Sequence, residues 1–183
     1  MRWDDLFGDL EREWEAAAAA EQQAETAELT RAELAQVALV DRLRGSVGCA
    51  LRIHTVGGHA AGELARVAGD CVLLQQATTE LLVPLAAVTA VEGLADATVP
   101  PGLVGAVESR LGFASLLRAV ARDRSEVTVQ RTSGHAVHGT PTRVGSDFVE
   151  LALHEPGEVP RPGAVTGVLA VPFAAVSVVR RHR

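Results

Sequence analysis

Arg66-Val-Ala-Gly-Asp-Cys-Val-Leu-Leu74 and Arg143-Val-Gly-Ser-Asp-Phe-Val-Glu-Leu151 are two readings of one pattern: a strand, a tight turn ending in aspartate, and a second apolar strand. The match extends to both sides. Gly58-His59-Ala60 recurs as Gly134-His135-Ala136 at an offset of 76, and Gly62, Arg66 and Asp70 recur as Gly139, Arg143 and Asp147 at 77. Val83-Pro84-Leu85-Ala86-Ala87-Val88 recurs as Val171-Pro172-Phe173-Ala174-Ala175-Val176 at 88. An internal duplication holds its offset except where a loop changes length. The second copy has therefore gained one residue in its first hairpin and eleven between Leu153 and Val168. That gain includes His154-Glu-Pro-Gly-Glu-Val-Pro-Arg-Pro-Gly163, whose prolines and glycines mark a loop rather than a ladder strand.

Within the first copy, Leu51 and Ile53 alternate with Arg52 and His54, and Val56-Gly57-Gly58 turns the chain into a second strand over 60–67. Gly62 inside that strand marks a bulge or sharp bend. Ala68-Gly69-Asp70 is the next turn, 71–75 the third strand and 81–83 the fourth. Pro84 ends that ladder, Leu85-Ala86-Ala87 suits a single 3₁₀ turn, and 88–91 is a fifth strand. Between the copies, Val99-Pro-Pro-Gly102 is a linker. Leu103, Val107, Leu111, Phe113, Leu116, Leu117 and Val120 then form a helical stripe with a break at Gly112. A helix followed by five bent strands is the repeating unit, and five such strands closed by one turn describe a small barrel.

The N-terminal stretch is of another kind. From Asp9 to Arg44 it has no glycine or proline and is rich in Ala, Glu, Gln, Leu and Arg, which predicts helix, either one long helix or two meeting near Thr30. Trp3, Leu6, Phe7, Leu10 and Trp14 fall on one helical stripe. Thr30-Arg-Ala-Glu33 has the pattern of a capping box, with Leu29 and Leu34 at staple positions. Residues 1–44 hold eleven acids against five arginines, so the whole formal charge of −6 falls there, and the rest of the chain is balanced apart from its Arg180-Arg181-His182-Arg183 tail. The fold class read from these features is α+β, mainly β. It comprises an acidic helical, coiled-coil-like arm over 1–44, a small five-stranded barrel over 45–94, a linker and helix over 95–124, and a second such barrel over 125–183.

Several motifs together resemble the Sm-like family of small SH3-like barrels. They are the helix before five bent strands, Gly62 and Gly139 inside strand two, and Asp70 and Asp147 in the turn before strand three. The closing Pro84-Leu-Ala-Ala-Val-Thr-Ala-Val91 and Pro172-Phe-Ala-Ala-Val-Ser-Val-Val179 complete the set. The resemblance covers Thr30 to Leu94 and Leu103 to Arg180. It implies tandem barrels that pair through edge strands, often into rings, and often bind RNA. Where the family carries its second, polar signature, this chain has Val83-Pro84-Leu85 and Val171-Pro172-Phe173, which offer no group to grip a base or phosphate.

No catalytic constellation, cofactor motif or metal spacing stands out. His135 and His138 are three apart on an extended segment and so face opposite ways, and six histidines with two distant cysteines fit no zinc pattern. Ser125, Ser133 and Ser146 lack a nucleophile elbow. Asp70 and Asp147 read as turn-capping carboxylates, and Cys49 and Cys71 as reduced packing thiols, since any disulfide could only be a single bridge. No stretch has the roughly 20 unbroken apolar residues of a membrane helix and the start does not read as a signal sequence, so the expected location is cytoplasmic.

The favoured class is a non-enzymatic adaptor or regulatory scaffold that holds a protein partner, or a second copy of itself, through the stripe Trp3, Leu6, Phe7, Leu10 and Trp14. Large aromatics of this kind dominate interface energies. The alternative is an RNA- or DNA-binding regulator, transcriptional or post-transcriptional, that contacts nucleic acid through Arg52, Arg66, Arg131, Arg143, Arg180, Arg181 and Arg183. An enzyme, a cofactor and a membrane partner are not expected.

Overall fold

The computed structural model describes residues 13–14, 21–25, 28, 31–32, 34–99, 111–157 and 165–182. The chain divides into two compact units, Met1–Ala38 and Leu39–Arg183. In the first, the described residues as far as Leu34 are helical, and a turn follows at Ala35-Gln36. Ala35 N–H donates to Arg31 O at 3.0 Å, whereas Val37 N–H reaches back only to Leu34 O at 3.1 Å, the tightened bond of a helix end. The expectation of a long coiled-coil arm over 1–44 is thereby corrected. Helix is interrupted at 35–38, and α1 (Leu39–Gly45) belongs to the second unit.

That unit is mainly β. Its strands are β1 (Ala50–Thr55), β2 (Gly58–Val67), β3 (Cys71–Gln76), β4 (Thr79–Pro84) and β5 (Val88–Glu92), then, after α2 (Phe113–Arg122), β6 (Val127–Arg131), β7 (Ala136–Val144), β8 (Phe148–Leu153), β9 (Gly167–Pro172) and β10 (Val176–His182). All belong to one antiparallel sheet in the order β5-β1-β2-β3-β4-β10-β6-β7-β8-β9. The sheet is open, with β5 and β9 as its two edges. The expected pair of closed five-stranded SH3-like, Sm-like barrels is overturned by this continuity.

The physical reason lies at the seam. β4 and β10 pair in register, from Val179 opposite Leu82 to His182 opposite Thr79, as tightly as strands within either half. Leu81 and Val83 pack in one hydrophobic cluster with Leu51, Ile53, Leu64, Val72, Leu74 and Val178. Leu82 packs in a second cluster, with Cys71, Phe113, Leu117, Val127, Val129, Val149, Leu151 and Val179. Successive strand residues point to opposite faces, so at the seam the two cores lie on opposite faces of one sheet. β4 and β10 feed both. Separating the halves would expose Leu82 and Val178 and leave two unpaired strand edges, an arrangement that invites aggregation.

The two halves nonetheless repeat each other strand for strand, as the orders β5-β1-β2-β3-β4 and β10-β6-β7-β8-β9 show. β2 has its register shift between Leu64 and Arg66, and β7 has its own between Pro141 and Arg143. The bulge therefore sits just beyond Gly62 and Gly139 rather than at them. Those glycines serve close approach: a Cβ on Gly62 would stand 2.6 Å from Gln75 O, and one on Gly139 2.4 Å from Ala152 O. Pro84 and Pro172 end their ladders opposite Cys71 and Phe148. Each is followed by a 3₁₀ turn, anchored by Leu85 N–H on Asp70 O at 2.8 Å and by Phe173 N–H on Asp147 O at 2.7 Å.

α2 covers the seam. Its stripe of Phe113, Leu116, Leu117 and Val120 packs in the second core. Its N-terminus is capped from the first half, where Asp70 Oδ1 accepts the Phe113 N–H at 2.6 Å and Gly69 N–H donates to Leu111 O at 3.0 Å. Asp70 is thus a helix cap as well as a turn residue. The first-half hairpin also reaches the second half at Gly57, where a Cβ would stand 2.3 Å from Arg131 O, and Gln130 donates to Gly57 O at 3.2 Å. Among the described residues no helix is long and apolar enough to cross a membrane.

Candidate functional site

Of the residues expected to bind a partner, Trp14 is helical and 78% exposed. Trp3, Leu6, Phe7 and Leu10 lie outside the described residues, as does Arg183. The other candidate arginines are scattered. Directly opposed residues in paired strands share a face, so Arg66 shares the row of Leu73 and Leu82, whereas Arg180 shares that of Leu81. Neighbours on β4 face opposite ways, which puts Arg66 and Arg180 on opposite faces of the sheet. Arg66 lines an apolar cavity of about 260 Å³ with Val67, Cys71, Leu73, Leu82 and Leu116, so its stem covers hydrophobic surface. Arg52 stands in the field of Glu92, whose carboxyl is held below its usual range first by the hydrogen bond from His54 at 2.7 Å. Arg143 and Arg181 approach Glu150 and Asp123 at 3.8 and 3.9 Å, and Arg131 is half-buried at the end of β6.

The structure assembles a different constellation, on the outer face of the second half. Val127 and Val129 point into the core, so Thr128 between them points out. The register places His138 opposite Thr128, and Thr140 opposite Ala152. His154 follows the last residue of β8 and so comes level with His138. Glu126, one residue before β6, completes the group. Its Oε2 lies 3.0 Å from His138 Nε2 and accepts the Gly157 N–H at 3.1 Å. The two imidazoles stand edge to face at 5.3 Å and 87°. One ligand atom from each of Glu126, His138 and His154 lies within 4.8 Å of the other two.

Hydrogen bonding fixes both rings. His154 Nδ1 sits 2.9 Å from Glu155 O, and a carbonyl can only accept, so Nδ1 carries the proton and Nε2 presents a lone pair. That lone pair faces the Thr140 hydroxyl at 2.9 Å. His138 Nδ1 sits 3.1 Å from Thr128 Oγ1. His154 is 5% exposed, whereas the Glu126 side chain is 42% exposed, so the group has a buried floor and an open rim. The Glu126 carboxyl is held below its usual range, first by the Gly157 N–H and then by the hydrogen bond to His138.

No known family model matches this chain, and no curated protein does.

Spacing along the chain does not reveal this cluster, because His138 has only His135 as a near neighbour in sequence. The usable signal was the hairpin register. The pairing of Gly139 with Leu153, reached only through the bulge between Pro141 and Arg143, sets His138 beside the residue after Leu153. Both cysteines are free, and their environments differ. Cys71 is fully buried, and its thiol is pushed up from 9.0 to about 12, first by burial and then by the charge of Asp70. The unfolded thiol ionises near 9.0 while the folded one keeps its proton, so the unfolded state is favoured progressively as pH rises from 9.0 towards about 12. Half-buried Cys49 should react with a thiol reagent ahead of Cys71, and Cys71 only as fast as the unit unfolds. Cys71→Ala should flatten the alkaline loss of stability, measured by urea unfolding between pH 8 and 11. An unchanged pH profile would sink this assignment.

Proposed function

We propose that this protein is a non-enzymatic adaptor, with the open β-sheet unit as a rigid head and the acidic N-terminal segment as the element that engages a protein partner. The observation that carries the reading is Trp14, helical and 78% exposed in a chain where Phe113 is 2% exposed. A Trp left in water on a helix surface is the kind of anchor that interfaces use. Residues 1–44 hold all of the formal −6, so a second copy of the same segment would meet it with like charge. The partner that fits is a protein with an apolar groove rimmed by basic residues. The scatter of Arg66 and Arg180 over both faces of the sheet weighs against the nucleic-acid alternative. The repeated five-strand order supports common descent with Sm-like chains as a proposal, without their closed barrels.

The chain has only two tryptophans, Trp3 and Trp14, so intrinsic fluorescence reports on this segment alone. Affinity capture from native extract, with the full chain beside Trp3→Ala/Trp14→Ala and a deletion of residues 1–28, should give a partner that only the full chain holds. Added partner should shift the Trp emission to the blue, and binding should weaken with salt. A partner list unchanged by the double substitution would end the idea, whereas a concentration-dependent mass lost on deletion would point to self-association instead.

A further inference from the structure

We propose that Glu126, His138 and His154 form a binding site for one divalent transition metal ion of the zinc class. Three features beyond proximity support it. The donor set, two imidazole nitrogens and one carboxylate oxygen, is one that zinc takes with a fourth position left to water. His154 has its Nδ1–H on Glu155 O, so its Nε2 lone pair is presented, and His138 has its Nδ1 beside Thr128 Oγ1, an oxygen able to accept from Nδ1–H once Nε2 holds the ion. This is the outer-shell arrangement that orients metal-ligating histidines. The third feature is the duplication itself. The pairings of Leu51 with Gly62 and of Val127 with Gly139 set the correspondence, and it places Ala50, Ala61 and Ala77 where the second half has Glu126, His138 and His154. One copy of the unit carries three ligands and the other carries three alanines.

The geometry needs a modest contraction. Ligands about 2.1 Å from a tetrahedral ion stand about 3.4 Å apart, against a present limit of 4.8 Å. Glu126 Oε2 and His138 Nε2 already stand 3.0 Å apart, so the contraction is between that pair and His154. On binding, the proton that His138 Nε2 now shares with Glu126 is exchanged through solvent to Nδ1, which then donates to Thr128 Oγ1, and His154 exchanges the Thr140 hydroxyl for the ion. Gly157 N–H already holds Glu126 Oε2, so the ion would staple the start of the inserted loop, absent from the first half, to the head of β6.

The test uses the full chain, stripped with a chelator and titrated with Zn²⁺ against a chromophoric competitor, and with Co²⁺ by visible absorption. One Zn²⁺ should bind per chain with micromolar or tighter affinity, and Co²⁺ should give the intense bands of a tetrahedral site. Glu126→Gln and His138→Ala should each weaken binding at least about 100-fold, and Thr128→Val about 10-fold to 100-fold through lost orientation. His135→Ala and His54→Ala should bind as the unmodified chain does. Because the ion binds only the folded chain, Zn²⁺ should raise the Tm of the unmodified protein and not that of Glu126→Gln. Glu126 is exposed, so this variant remains informative if replacing buried His154 prevents folding. No saturable Zn²⁺ binding, a weak octahedral Co²⁺ spectrum, or equal affinity in Glu126→Gln and the unmodified chain would each overturn the proposal.

Discussion

Replacing Leu82 by alanine should lower the unfolding free energy by about 2–5 kcal/mol, and Leu81→Ala by a similar amount, each in a single transition that both halves share. The two residues are neighbours on β4 but serve different cores. Leu81 is fully buried in the cluster that also holds Val178 from β10, and Leu82, 7% exposed, packs with Leu117, Val127 and Val149 of the second half. A first-half side chain is thus part of the second-half core, and a β10 side chain is part of the first. Neither half can lose its packing without the other. Apolar cavities of about 140 and 260 Å³ already flank α2, both lined by Leu73, Leu82 and Leu116, so truncation at Leu82 enlarges existing space rather than being absorbed by collapse. Native-state hydrogen exchange on Leu82→Ala should show protection falling together at β2 and β8. A loss confined to β2 and β3 would mean the halves are independent after all.

Much of the local fold was legible because duplication supplied its own check. The hairpin turn at Gly134, with φ +84°, and both proline-terminated ladders fall where the offsets 76, 77 and 88 place them. The 3₁₀ turns at Leu85–Ala87 and Phe173–Ala175 were equally readable, because a proline cannot continue a ladder and a small Ala-Ala pair tolerates the tight turn. Closure is where the structure departs from the sequence expectation. Leu81-Leu82-Val83 is a run with no polar alternation, and Val176-Ser-Val-Val179 is broken only by a small serine, the mark of strands covered on both faces. A closed module would give these runs a single buried face, whereas an open sheet with a core on each side covers both.

The site was harder to see, since its members are far apart in sequence and unlike in burial. Glu126 and His138 are 12 residues apart, and His138 and His154 are 16 apart. Only a register fixed to the residue brings them level, and a shift by one would send His138 into the core. The bulge between Pro141 and Arg143 lies beyond the site, so the pairing of β6, β7 and β8 is regular where it matters. The N-terminal stripe was legible as a pattern, but helix does not continue through 35–38. Propensity summed over Ala, Glu and Leu could not register this interruption.

Phe113→Ala should be among the most damaging single changes, lowering stability by about 3–5 kcal/mol. Phe113 is 2% exposed, opens α2, and meets the Phe173 ring edge to face at 5.2 Å. Phe173 begins the 3₁₀ turn that carries the chain from β9 to β10, and its N–H is held by Asp147 O. The aromatic contact therefore ties the helix over the seam to the segment that supplies the seam strand. The Phe113 amide keeps its bond to Asp70 Oδ1 in the alanine variant, so the loss isolates the ring from the cap. A double-mutant cycle with Phe173→Ala should give a coupling of about 0.5–1.5 kcal/mol, the usual range for an aromatic pair beyond its buried area. Thermal unfolding of the four proteins measures it. Additive losses would show that the rings only share a core, and a loss below about 1 kcal/mol for Phe113→Ala would mean that α2 does not hold the two halves together.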